Sequence, residues 1–188
     1  EKHKHCEKHK LCEISKHCEI SKHCEISKQD EKTNIMKKEN IMQLTDHFYL
    51  SEFVRSETAT RLGIDNSIND PEIISNIRNL CEHVLEPLRV FAGCPIIINS
   101  GYRCPRLNEA VGGSRWSQHM KGEACDIRIA DSATGDRWYS WMKENLPYDQ
   151  LIKERAHKSS NSFWIHVSLT RDDAKNRRQA FENNNLDK

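Results

Sequence analysis

The chain is 188 residues long, with 36% hydrophobic and 30% charged residues and a formal net charge of +1. That length allows one domain with its own core plus an extension, and the near-zero charge excludes a strong field aimed at nucleic acid or another polyanion. No stretch approaches the ~20 apolar residues a membrane helix needs, and no apolar signal core followed by small residues opens the chain.

Residues 1–28 are a tandem hexapeptide. The unit Cys-Glu-Ile-Ser-Lys-His recurs from Cys12 and Cys18 and, with Gln29 in its last place, from Cys24, with a degenerate copy from Cys6. A period of six fits neither 3.6 nor 3.5, so its apolar positions would spiral around a helix. Cys and His in a short tract invite a metal-binding reading, but a short near-perfect repeat is better read as an expanded unit without fixed structure. Residues 1–41 are therefore expected to be a disordered tail of net charge +2, and residues 42–188 a domain of net charge −1. Met36 and Met42 are both plausible translation starts.

In the body, Leu50 to Phe53 suggests a helical turn capped by Ser51. Asp70 and Pro71 open the clearest helix, the first as cap and the second at the first helical position. Ile74, Ile77, Leu80, Cys81, Val84, Leu85, Leu88 and Phe91 recur at helical spacing, Pro87 is expected to kink or break the last turns, and Gly93 ends them. Pro95 to Ser100 reads as a buried strand, Pro105 to Val111 as a short helix, and Gly112-Gly113 as a turn. Glu123 to Ile129 reads as a strand and Asp131 to Leu146 as a helix with Trp138, Trp141 and Met142 inward. Gln150 to Lys153 and Phe163 to Leu169 complete the strands. This order predicts an α+β fold with a small antiparallel sheet flanked by helices. Cys81 and Cys125, set among apolar residues, are expected to be reduced core thiols; a bridge between Cys94 and Cys104 is an open alternative to free thiols.

The chemistry lies in two strands. In the run Ser117 to Asp126, His119 precedes a glycine turn and Asp126 follows seven residues later inside a strand. Alternation puts Ala124, Asp126 and Arg128 on one face and Cys125 and Ile127 on the other. A carboxylate inside an apolar strand is costly unless a cation pairs with it; Arg103, Arg128 or a metal ion would serve. In the second strand, Trp164, His166 and Ser168 share a face. His119, Asp126 and His166 together supply two imidazoles and a carboxylate, a set that leaves a fourth tetrahedral position open, as in catalytic zinc sites. The same set also describes a non-haem iron triad, but such oxygenases need a many-stranded barrel and four predicted strands are too few.

Several motifs, in order, carry a resemblance. Ser100-Gly101-Tyr102-Arg103 comes first, then Asn108 and Val111-Gly112-Gly113, then the Ser-x-His-x-x-Gly-x-Ala-x-Asp run from Ser117. Tyr148-Asp149-Gln150-Leu151-Ile152 and Trp164-Ile165-His166-Val167-Ser168 follow. Residues about 96–178 thus resemble the M15 family of zinc peptidases, the D-Ala-D-Ala carboxypeptidase and endolysin group with a hedgehog-type α+β fold. The resemblance implies Zn2+ held by His119, Asp126 and His166, and a peptidoglycan stem peptide or crosslink as substrate. It gives Arg103 substrate binding and oxyanion stabilisation, for which a fixed guanidinium is suited, and gives Ser117 a bond to a ligand or substrate.

Many members of the family carry Glu three residues before the last His ligand; here that position is Phe163. The nearest candidate base is Glu154, since Gln150, Ile152 and Glu154 alternate onto one face and a hairpin would set Glu154 beside His166. A solvated strand end is the plainer role for Glu154, and His157 is a second candidate. Trp116 and Trp164 are candidates for lining a substrate groove, with packing as the commoner role for such aromatics. The expected protein is a monomeric zinc peptidase with no nucleic-acid partner; its localisation is left open, with release by lysis, carriage on a phage or another export path as the routes to cell wall. Its alternative is a zinc-containing wall-binding or phage structural module without turnover. Which bond is cut is left open, because loops rather than the metal site choose among such peptidases.

Overall fold

The computed structural model describes residues 42–155 and 163–183. The repeat tail with Met36, and His157, lie outside the described residues. No described helix is long and apolar enough to cross a membrane.

The helices come first. Helix α1 (Leu50–Val54) starts at Tyr49, whose backbone N–H donates to Glu52 Oε1 at 2.9 Å. The expected cap Ser51 sits inside the helix instead, because Glu52 closes the first turn from within. Helix α2 (Glu57–Leu62) is capped by Ser56, which accepts from the Ala59 N–H. Helix α3 (Pro71–Leu80) opens as the sequence indicates, with Asp70 Oδ1 accepting from the Glu72 N–H at 2.8 Å. Beyond it the chain widens into a π-helical turn (Cys81–Leu85), in which the Glu86 N–H reaches back to the Cys81 carbonyl, before α4 (Glu86–Ala92). The expected break at Pro87 is therefore absorbed rather than made: the looser turn accommodates a residue that has no N–H to give and whose ring crowds the preceding turn. Gly93, left-handed at φ 67°, ends the helix.

The five strands are β1 (Ile98–Ser100), β2 (Ala124–Arg128), β3 (Gln150–Arg155), β4 (Phe163–Ser168) and β5 (Gln179–Asn183). Helix α5 (Pro105–Ala110) and a 3-10 turn (Gln118–Lys121) separate β1 from β2, and α6 (Ser132–Asn145), capped by Asp131, separates β2 from β3. The sheet order is β1-β2-β4-β3-β5. All pairs are antiparallel except β3 with β5, which is parallel. The fold is α+β, as expected, but the sheet gains an unforeseen fifth strand and with it one parallel edge. Strand β1 is shorter than Pro95 to Ser100 because it is an edge strand whose register slips between Ile98 and Ser100.

Alternation along β2, β4 and β3 divides the sheet. Cys125, Ile127, Ile165, Val167 and Leu151 point into one core with Ile77, Leu80, Val84, Leu85 and Leu88 of the long helix and with Trp138 and Met142 of α6. Burying these side chains contributes about 1.5–3 kcal/mol each before entropy is counted. Trp141, at the rim of that core, stacks on Phe91 with ring centroids 4.3 Å apart. Cys81 and Cys125 are buried free thiols, and burial pushes both of them up from the ordinary thiol range. Cys94 and Cys104 are also free.

Candidate functional site

The other face of the sheet carries the polar side chains. Asp126 of β2 pairs directly with His166 of β4, and His166 with Ile152 of β3. The third member, His119, arrives from the 3-10 turn that packs against β2. Two glycines make that approach work. Gly122, left-handed at φ 70°, ends the turn, and a Cβ there would lie 2.7 Å from the Ile73 carbonyl oxygen. At Gly101 a Cβ would meet the Phe53 Cα at 2.7 Å, so only glycine lets the two backbones come this close. The Gly101 carbonyl is thereby placed 2.7 Å from His119 Nδ1.

That contact settles a tautomer. A carbonyl only accepts, so Nδ1 carries the proton, and in a neutral ring Nε2 keeps its lone pair. Nε2 lies 3.4 Å from Asp126 Oδ1, and His166 Nδ1 lies 2.9 Å from the same oxygen. The two imidazole centroids are 5.1 Å apart. The three residues each offer a ligand atom, all within 4.8 Å of one another. His119 and Asp126 are buried and His166 half-buried. A lone pair facing a carboxylate inside a protein calls for a proton or a cation between them, and a bonded Nδ1–H behind the ring is the usual orienting partner of a ligating imidazole. The donor set thus fits a divalent ion with nitrogen and oxygen preferences. Burial alone would raise the Asp126 carboxyl, but with no ion between them the charge and hydrogen bonds of the two rings in protonated form outweigh it and hold the group well below the ordinary carboxylate range.

Arg103 donates from Nη2 to Asp126 Oδ2 at 2.7 Å and from Nε to Ser100 Oγ at 2.9 Å. Of the two arginines weighed for Asp126, it is therefore Arg103 that pairs. Glu154 faces Trp164 across β3 and β4, and its Oε2 accepts from the indole Nε1–H at 2.5 Å. By register Glu154 shares the face of His166, one diagonal step away. Phe163 lies on the opposite face, packed against the core with Arg155 over its ring. A carboxylate at position 163 would thus point away from His166, and among the two strands Glu154 is the acid on the correct side.

A polar cleft of about 710 Å³ opens beside this centre, with His166, Ser117, Gln118 and Trp116 in its lining. Trp116 is 76% exposed. Trp164 and Glu154 are not in that lining. The cleft also holds a residue with no role expected from its sequence context. Asp149 is buried, and its Oδ1 accepts from the backbone N–H and Nε of Arg177, both at 2.8 Å, while Oδ2 accepts from Nη2 at 2.6 Å. These bonds, led by the Arg177 guanidinium, hold Asp149 below its usual range. They also tie β5 to the hairpin, and only the motif around Tyr148 hinted at Asp149.

A family model described as Peptidase M15 matches residues 46–168, a span that includes all three candidate ligands together with Arg103, Ser117, Glu154 and Trp164. No curated protein matches the chain.

Proposed function

Because the chain belongs to the peptidase M15 family, and is on that ground a peptidase, we propose that it is a zinc peptidase acting on the peptide stems or crosslinks of peptidoglycan. His119, Asp126 and His166 are its metal ligands. The observation that carries this reading is their convergence, from a 3-10 turn and two neighbouring strands, to within 4.8 Å at the edge of a cleft. The bound ion would polarise the scissile carbonyl and lower the pKa of a water.

The chain's own groups do the rest. The Gly101 carbonyl holds His119 in one tautomer, and Arg103 steadies Asp126 while keeping further N–H groups for the oxygen on which charge develops. Glu154, oriented by the Trp164 indole, takes a proton from the attacking water and hands it to the leaving amine. Ser117 and Trp116 contact the peptide along the cleft, and Trp164, outside its lining, acts through Glu154.

One observation favours a second reading, a wall-binding module without turnover: the Glu154 carboxylate is already engaged by Trp164. Digestion of purified peptidoglycan with mass analysis of the fragments separates the two. We expect soluble peptide products that a chelator suppresses and zinc restores. Binding without products supports the module, and products that survive both chelator and His166→Ala contradict the zinc reading.

A further inference from the structure

A second cleft, of about 640 Å³, has Arg103 in its lining. Its charged residues are Arg55, Arg103, Arg128 and Glu57. Arg103 is committed to Asp126. Among the described residues, Arg55 and Arg128 have no ion-pair partner, and neither does Glu57. The first cleft differs in this respect: its acids and bases largely satisfy each other, through Asp149 with Arg177, Asp172 with Lys175, and Glu72 with Arg171.

Both unpaired guanidiniums line the same cleft as Arg103, whose Nη2 bonds Asp126 of the proposed metal centre. Arg128 lies two residues beyond Asp126 on β2, so it shares that face about 7 Å further along. Arg55 follows directly on α1, the helix packed against β1. Hydroxyls of Ser56 and Thr58 and the Asn99 side chain add neutral hydrogen-bonding groups to the lining. An excess of unpaired, forked donors in a concave site suits a planar anion, which Arg binds bidentately. The anion a peptide carries is a carboxylate.

We propose that this second cleft is a carboxylate subsite, in which Arg55 and Arg128 bind an anionic group of the peptide held at the centre. This rests on the peptidase reading for the identity of the ligand, and it names two residues outside the catalytic set. The carboxylate is either the chain terminus or an acidic side chain.

The test uses the full chain and three versions of one short stem-like peptide: free terminus with an acidic side chain, amidated terminus, and side-chain acid replaced by its amide. Affinity is read by calorimetry and turnover by product analysis, for the wild type and for Arg55→Gln/Arg128→Gln. We expect one neutralised version to bind at least about ten-fold more weakly than the parent, in line with loss of a charge-assisted bond. Whichever version it is identifies the source of the carboxylate. The double variant should bind all three alike, with an unchanged melting temperature because both side chains are exposed. Equal wild-type affinity for all three, or a preference that survives in the double variant, overturns the subsite. Preferential binding without turnover keeps the subsite and removes the peptidase reading, so the two failures are distinct.

Discussion

The two faces of the sheet are made by the same strands and carry opposite chemistry. Toward the long helix and α6, β2 and β4 present Cys125, Ile127, Ile165 and Val167 in a dry core. One residue out of step, the same strands present Asp126, Arg128, Trp164 and His166. In the proposed reading the first face answers for stability and the second for chemistry, and the two share only backbone. Substitutions on one face should therefore leave the property of the other largely intact.

The largest effect should follow Asp126→Ala. Zinc content and hydrolysis should both fall to background, while far-UV circular dichroism stays that of a folded chain. Retained zinc would place the ion on other ligands. Next comes Glu154→Gln, which should lower kcat by about 10²–10⁴-fold, the usual worth of a general base, with zinc content unchanged. A variant as fast as wild type would assign proton transfer elsewhere. On the opposite face, Ile165→Ala should cost about 2–5 kcal/mol in denaturant unfolding and leave zinc per folded molecule unchanged; a stoichiometry that falls with stability would join the two faces.

The smallest effect concerns the edge of the site face. Asp149→Asn should lose about 1.5–3 kcal/mol at neutral pH, as expected for a hydrogen bond to a charged group. The folded carboxyl is depressed by Arg177, so its contribution is present above the unfolded pKa of about 3.9 and is lost as pH falls through the lower folded value. The gap in melting temperature between wild type and variant should close below about pH 4. A gap independent of pH would show that the ion pair is not its source.

Much of the site face was legible beforehand because alternation is a local rule. A polar residue every second position in Ala124 to Arg128 and Trp164 to Ser168 states its own face without knowledge of partners. The helix from Asp70 to Gly93 was legible for the same reason, since its cap, period and stop all lie within it. What escaped depends on distant contacts. Strand β5 is short, mostly exposed and without alternation, and it exists because it pairs with β3 and is clipped by Arg177 on Asp149, 28 positions away. The cap of α1 was misplaced because Glu52, rather than a hydroxyl, supplies the acceptor. Phe163 looked like a missing base until strand parity turned it toward the core, and nothing local in Arg55 connects it to Arg128.

X-ray absorption at the zinc edge, on the full chain loaded with one equivalent of zinc, tests the metal centre most directly. The chain also carries eight cysteines, and sulfur and nitrogen ligands differ clearly in distance. The expected spectrum has only nitrogen and oxygen neighbours at about 2.0–2.2 Å, with an imidazole contribution that diminishes in His166→Ala. A sulfur shell at about 2.3 Å, unaltered by that substitution, would contradict a site built from His119, Asp126 and His166.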